Sequence, residues 1–137
     1  MVVSEEAGVL AVLDRFRMGW ETLDAGVVLD CFAADPQLTV IGTDEDEYWR
    51  GFVALIKPFR SMVGTFTDPV YQWAEPPHIQ VAGDLAWADG RLDTSLTSGG
   101  QRLAVQMRTS WVLRRRGRWE IVQAHFSVAP NAPVAAY

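Results

Sequence analysis

Asp89, Arg91 and Asp93 stand at alternate positions in a stretch with the composition of a strand, and Arg108 lies in the apolar-rich stretch that follows. Alternation puts the first three on one face. Two carboxylates against two guanidiniums can neutralise each other, since charges are not buried unless they pair or stay wet. The same residue types can do chemistry. An arginine can grip a carboxylate or enolate oxygen while Asp89 or Asp93 acts as the base, its pKa raised by an apolar surround. On the residues alone, a salt-bridged network and an acid/base site both stand open.

Other reactive groups are sparse. His125 could serve as a general base, its ordinary pKa being near 6.5, whereas His78 follows Pro76-Pro77 in a turn. Two histidines and one cysteine, Cys31, offer no zinc spacing. The run Thr43-Asp44-Glu45-Asp46-Glu47 holds oxygens suited to a hard cation but in no calcium-loop order, so a solvated turn is expected, with no metal and no other cofactor. Gly99-Gly100 joins two strands rather than a strand to a helix, which excludes a phosphate loop. Arg114, Arg115, Arg116 and Arg118 cluster at a hairpin tip, as a solvated turn or a docking patch for an acidic partner.

The elements that must position these groups follow from periodicity. Ser4 before Glu5 and Glu6 reads as an N-cap with acidic residues in the first turn. Val9, Val12, Leu13, Phe16, Trp20 and Leu23 then mark one face of a helix over about 5–22. Asp24 can cap a shorter helix carrying Val27, Val28, Cys31 and Phe32, which Asp35-Pro36 ends. A short strand over 37–41 precedes the acidic run. A third helix from Gly51 to Gly64 contains Pro58, which should kink or interrupt it. Beyond residue 65 the pattern is extended. A strand over 66–73 carries Pro69 and is expected at an edge or bulged. Strands over 78–81 and 85–96 lead to a long hairpin within 101–130, turning at Arg114-Arg115-Arg116-Gly117. Helices first and strands after them predict an α+β domain with helices on one face of an antiparallel sheet.

With 137 residues, 49% hydrophobic and 21% charged, the chain is read as a single domain over 1–137, its core at about 5–130 and its tail at 131–137. A net charge of −5 gives no general attraction to nucleic acid or anionic lipid. One cysteine, an N-terminus without the basic start of a secretory signal, and no apolar run near the roughly 20 residues of a membrane span point to the cytoplasm.

Three motifs carry a resemblance. They are Cys31-Phe32-Ala33-Ala34-Asp35, then Pro77-His78-Ile79-Gln80-Val81-Ala82-Gly83-Asp84, and the stretch Arg116-Gly117-Arg118-Trp119-Glu120-Ile121-Val122-Gln123-Ala124-His125-Phe126-Ser127. With the order of elements they resemble the nuclear transport factor 2-like superfamily, in particular its SnoaL-like members. The last two are also similar to the association domain of calcium/calmodulin-dependent protein kinase II. The resemblance implies a cone-shaped curved sheet whose concave face, closed by the N-terminal helices, holds a pocket, and whose convex face makes a homodimer.

It would place Arg91 on the concave face, bringing Trp87, Asp89 and Asp93 with it, together with Arg108, Ser110, Val122, Ala124 and Phe126. His125, Gln123 and Ile121 would face outward, and Trp111 with Ile121 would form the apolar convex surface. Tyr48, Trp49, Phe16 and Trp20 are candidate pocket walls. The implied activity is cofactor-free isomerisation or cyclisation of a small, mostly apolar metabolite by proton transfer, with Asp89 or Asp93 as acid/base and Arg91 or Arg108 stabilising oxygen charge. The alternative is a non-catalytic ligand-binding or assembly module. Arg91-Leu92-Asp93 also resembles limonene epoxide hydrolases, but Ala124 stands where their second aspartate would be. Phe16, Val40 and approximately Thr109 replace the ionisable groups of ketosteroid isomerases.

Overall fold

The computed structural model describes residues 4–130 and 135–136. Helix α1 (Glu5–Glu21) is capped by Ser4, whose hydroxyl accepts from the Ala7 N–H at 3.1 Å. Helix α2 (Ala25–Asp30) is capped by Asp24. Strands β1 (Thr39–Ile41) and β2 (Tyr48–Arg50) flank the acidic run, which forms their turn. Helix α3 (Val53–Thr65) is followed by β3 (Thr67–Trp73), β4 (His78–Ala82), β5 (Leu85–Ser98), β6 (Gln101–Arg116) and β7 (Arg118–Ser127). A short β8 (Ala135–Ala136) pairs with Leu103 and Ala104. The expectation of a loose tail otherwise lies outside the described residues.

All strands form one curved, open sheet in the order β2-β1-β7-β6-β5-β3, with β4 also on β5 and β8 on β6. The fold is α+β, a cone of the cystatin-like, nuclear transport factor 2-like kind. Strands β5 and β6 pair from Leu85↔Arg114 to Ser98↔Gln101. Gly99 and Gly100, with φ of +59° and +76°, close them in a two-residue turn that other residues adopt only under strain. Edge strand β3 is bulged between Thr67 and Val70, around Pro69. Helix α3 runs through Pro58 without interruption, because one missing N–H is outweighed by the buried anchors Leu55 and Phe59 on either side. Strand β2 is an addition to the expected elements.

The helices cover one face of the sheet. Val9, Leu13, Phe16 and Trp20 of α1 pack with Ala86 and Ala88 of β5, Trp111 and Leu113 of β6, and Ile121, Ala124 and Phe126 of β7. Trp73 of β3 leaves no room for a side chain at Gly90 of β5. A Cβ on Gly90 would lie 2.8 Å from the Trp73 ring. This face inverts the expected alternation. Asp89, Arg91, Asp93, Arg108, Ser110 and Trp87 are exposed on the outer face, while Ala88, Leu92, Thr94, Thr109 and Trp111 point inward. In β7 the register skips Val122, since Val112 pairs with Gln123 and Leu113 with Ile121. That bulge turns Ile121 into the core while Ala124 and Phe126 keep their inward places, and His125 and Gln123 remain outward. Trp111 and Ile121 are therefore core and not an apolar convex surface; the large apolar side chains that β5 exposes there are Leu85 and Trp87. No helix among the described residues is long and apolar enough to cross a membrane.

Candidate functional site

Between the helices and the inner face of the sheet lies a cavity of about 340 Å³. Helix α1 supplies Phe16 and Trp20, one turn apart on its buried face. Phe59 and Met62 come from α3, Phe66 from its C-terminal end, Val40 from β1 and Trp49 from β2. The sheet contributes Tyr71, Thr94, Leu96, Val105, Met107 and Phe126. The rings brace one another. Phe16 stacks on Phe126 at 5.8 Å and meets Trp111 edge-on at 5.0 Å, Trp20 stacks on Tyr71 at 6.0 Å, and Trp49 meets Phe59 edge-on at 5.6 Å.

Polar groups in the lining are few. Thr94 donates its hydroxyl hydrogen to the Val105 carbonyl at 2.7 Å, which leaves its oxygen free to accept. Tyr71 is held by α1 from outside the sheet edge. Its backbone N–H donates to Glu21 Oε2 at 3.0 Å and its carbonyl accepts from Arg17 Nη1 at 2.9 Å, while Arg17 and Glu21 pair with each other at 3.0 Å. These bonds satisfy backbone groups that an edge strand would otherwise leave open and fix the ring over Trp20. The phenol makes no hydrogen bond among the described residues. Burial pushes its pKa up to about 12, with Glu47 adding to the rise. Thr43, Asp44 and Glu47 stand at the mouth, where Glu47 Oε1 accepts from the Asp44 N–H at 3.0 Å.

The charged residues expected to carry chemistry lie on the opposite side of the sheet. Asp89 pairs with His78 at 3.2 Å, Arg91 with Glu75 at 2.7 Å, and Asp93 accepts from Gln106 at 2.8 Å. Arg108 donates to Ser127 at 3.1 Å, and Ser110 sits opposite Asp89. Asp89, Asp93 and Arg91 thus do not reach the cavity, nor do Arg108, Ser110 or Trp87. The cause is the inverted alternation of β5 and β6. The likeness to epoxide hydrolases does not extend to a shared site for the same reason. Tyr48 is 59% exposed and turns away, whereas its neighbour Trp49 lines the cavity, as do Phe126, Phe16 and Trp20. Cys31 is buried, and burial pushes its thiol up to about 11, away from nucleophilic use.

Tyr71, Thr94, Asp44 and Glu47 were not read as site residues from the sequence. Thr94 could have been found, since it shares the uncharged alternate positions of β5 with Ala88 and Leu92. Tyr71 lies just past the bulge at Pro69, where parity is lost, and Glu47 belongs to a run whose spacing signals nothing.

A family model for the SnoaL-like domain matches residues 9–131. The chain belongs to the SnoaL-like domain family. No curated protein matches the sequence. Among solved structures, this SnoaL-like domain is similar to a nuclear transport factor 2-like superfamily protein from Salmonella enterica serovar Typhimurium, at 21% identity and a TM-score of 0.81, covering 90% of this chain and 89% of that one. It is similar to a Xanthomonas campestris protein whose name proposes a calcium/calmodulin dependent protein kinase II association domain, with 23% identity, a TM-score of 0.78 and coverage of 94% and 91%. It also resembles a Streptomyces avermitilis protein of the NTF2-like family whose name proposes a dehydratase, with 14% identity, a TM-score of 0.81 and coverage of 91% and 96%. These likenesses concern the fold.

Proposed function

We propose that this SnoaL-like domain binds one small, mostly apolar molecule inside the cone, its body against the aromatic walls and a hydroxyl or carbonyl group at Tyr71 and Thr94. One observation carries the reading. The cavity of about 340 Å³ is lined by seven aromatic side chains, with polar side chains confined to Tyr71, Thr94 and the turn over residues 43–47. Apolar walls with a few convergent polar groups are the ordinary form of a small-molecule site. The test is a titration with N-phenyl-1-naphthylamine, a neutral dye that brightens in apolar surroundings. The expected result is one dye per chain, with binding weakened at least about tenfold by Leu96→Trp, which fills the cavity with an indole. Equal binding by a folded Leu96→Trp protein contradicts the reading.

A second reading adds proton transfer, favoured by Glu47 lining the same cavity as the Tyr71 hydroxyl. Glu47 takes a proton from the carbon beside a bound ketone, the electron pair moves onto the carbonyl oxygen, and the Tyr71 O–H donates a hydrogen bond to it. Return of the proton from Glu47 to another carbon completes an isomerisation without any further reactant. A cyclic enone incubated with the protein in D2O should gain carbon-bound deuterium faster than in buffer, and Glu47→Gln should remove the excess. A rate equal to buffer with saturating protein excludes the step.

A further inference from the structure

The ionisable side chains that line the cavity are Asp44, Glu47 and Tyr71, with no lysine, arginine or histidine in the lining among the described residues. One oxygen of Glu47 is taken by the Asp44 N–H, and the other has no hydrogen-bond partner among the described residues. Beneath this pair the walls present aromatic rings. Trp20 and Tyr71 are stacked with their planes 15° apart, and Trp49 and Phe59 meet beside them. Ring faces carry the negative side of the π quadrupole and attract cations, tryptophan most of all. Carboxylates at the mouth, with no cationic side chain in the lining among the described residues, favour positive charge and oppose negative charge. Burial first and Glu47 second hold the Tyr71 phenol neutral. The arginines that could receive an anion are on the far side of the sheet, Arg91 tied to Glu75 and Arg108 to Ser127.

We infer that the molecule this cavity takes is a small organic cation, a protonated amine or quaternary ammonium group on an apolar body, its charge held at Asp44 and Glu47 and its body against Phe16, Trp20 and Phe126. The inference rests on the reading of the cavity as a binding site and adds the charge of the ligand. The rim carboxylates select for charge and the rings for size.

The test displaces N-phenyl-1-naphthylamine from the full chain with benzyltrimethylammonium, with its neutral isostere neopentylbenzene, and with 3-phenylpropanoate. In the parent protein the cation should bind more tightly than the carboxylate. The double variant Asp44→Asn with Glu47→Gln keeps at residue 47 a side-chain oxygen that can accept from the residue 44 N–H. It should lose about tenfold in affinity for benzyltrimethylammonium, as expected for two partly exposed charge partners, while neopentylbenzene changes by less than about twofold. Cation and isostere weakening together would overturn the inference, as would tighter binding of 3-phenylpropanoate than of the cation in the parent; either result leaves the binding reading intact. A parent protein that fails to bind the dye removes both.

Discussion

The outer face of β5 and β6 and the helix-covered face beneath it are made from alternate residues of the same two strands. Outside stand Trp87, Asp89, Arg91, Asp93, Arg108 and Ser110, and inside stand Ala88, Leu92, Thr94, Thr109 and Trp111. The outer charges are engaged with neighbours that are themselves exposed, such as His78 and Glu75. Pairs of that kind contribute little to stability and hold their charges in water. The inner groups are uncharged, and the two buried threonines are satisfied by strand carbonyls at 2.7 Å, Thr94 by Val105 and Thr109 by Gly90. The difference teaches that a dense set of charges at period two marks the wet face. The other face leaves the cavity lined by rings, a phenol and the two carboxylates of a turn.

The largest expected effect separates two tryptophans of similar sequence context. Trp111 is 1% exposed and its indole N–H donates to Thr109 at 2.9 Å, whereas Trp87 is 46% exposed. Replacing a buried tryptophan by alanine removes its burial and leaves a cavity, so Trp111→Ala should cost about 3–5 kcal/mol in urea unfolding. Trp87→Ala should cost under about 1 kcal/mol. Losses of equal size would break the assignment of faces.

Much of the fold was legible for local reasons. Ser4 and Asp24 cap helices whose apolar spacing is regular, and Gly99-Gly100 and Gly117 have positive φ at the two turns that bound β6. Strand β2 was hidden because its three residues follow an acidic run and rely on β1 for their hydrogen bonds. The helix through Pro58 depends on tertiary burial of Leu55 and Phe59, which local propensity does not encode. For β5, the alternation itself was visible, and its charged half belonged outside by simple solvation; the likeness to related cones pointed the other way. In β7 no residue type announces the bulge at Val122, so Ile121 could not be placed by parity. Phe16, Trp20 and Trp49 line the cavity as large rings on amphipathic elements facing something apolar, Phe126 faces it from the side the resemblance implied, and Tyr48 does not. Of the polar groups among them, Thr94 shares the uncharged alternation of β5, whereas Tyr71 depends on a bulge and Asp44 and Glu47 on a turn.

The smallest expected effect sharpens the same contrast from the side of charge. Asp35 sits where the chain leaves α2, accepting from the Gln37 N–H at 2.7 Å and pairing with Arg114 at 2.8 Å. The backbone bond first, then Arg114, holds its carboxyl below the usual carboxylate value. A lowered native pKa gives stability that is present above the unfolded value of about 3.9 and is lost as pH falls through the native one. Asp35→Asn should therefore melt at a lower Tm than the parent at pH 7, with the gap closing as the pH drops below about 4. A gap that widens in acid would contradict the sign.

The most direct test of the central claim, that the inner cavity and not the charged outer face is the functional surface, is the naphthylamine titration run on two variants side by side. Leu96→Trp fills the cavity; Asp89→Asn with Arg91→Gln strips the outer charges and leaves the cavity lining intact. The first should weaken dye binding at least about tenfold, and the second should change it by less than about twofold. Loss of binding in the outer-face variant, with Leu96→Trp binding as the parent does, would contradict the claim.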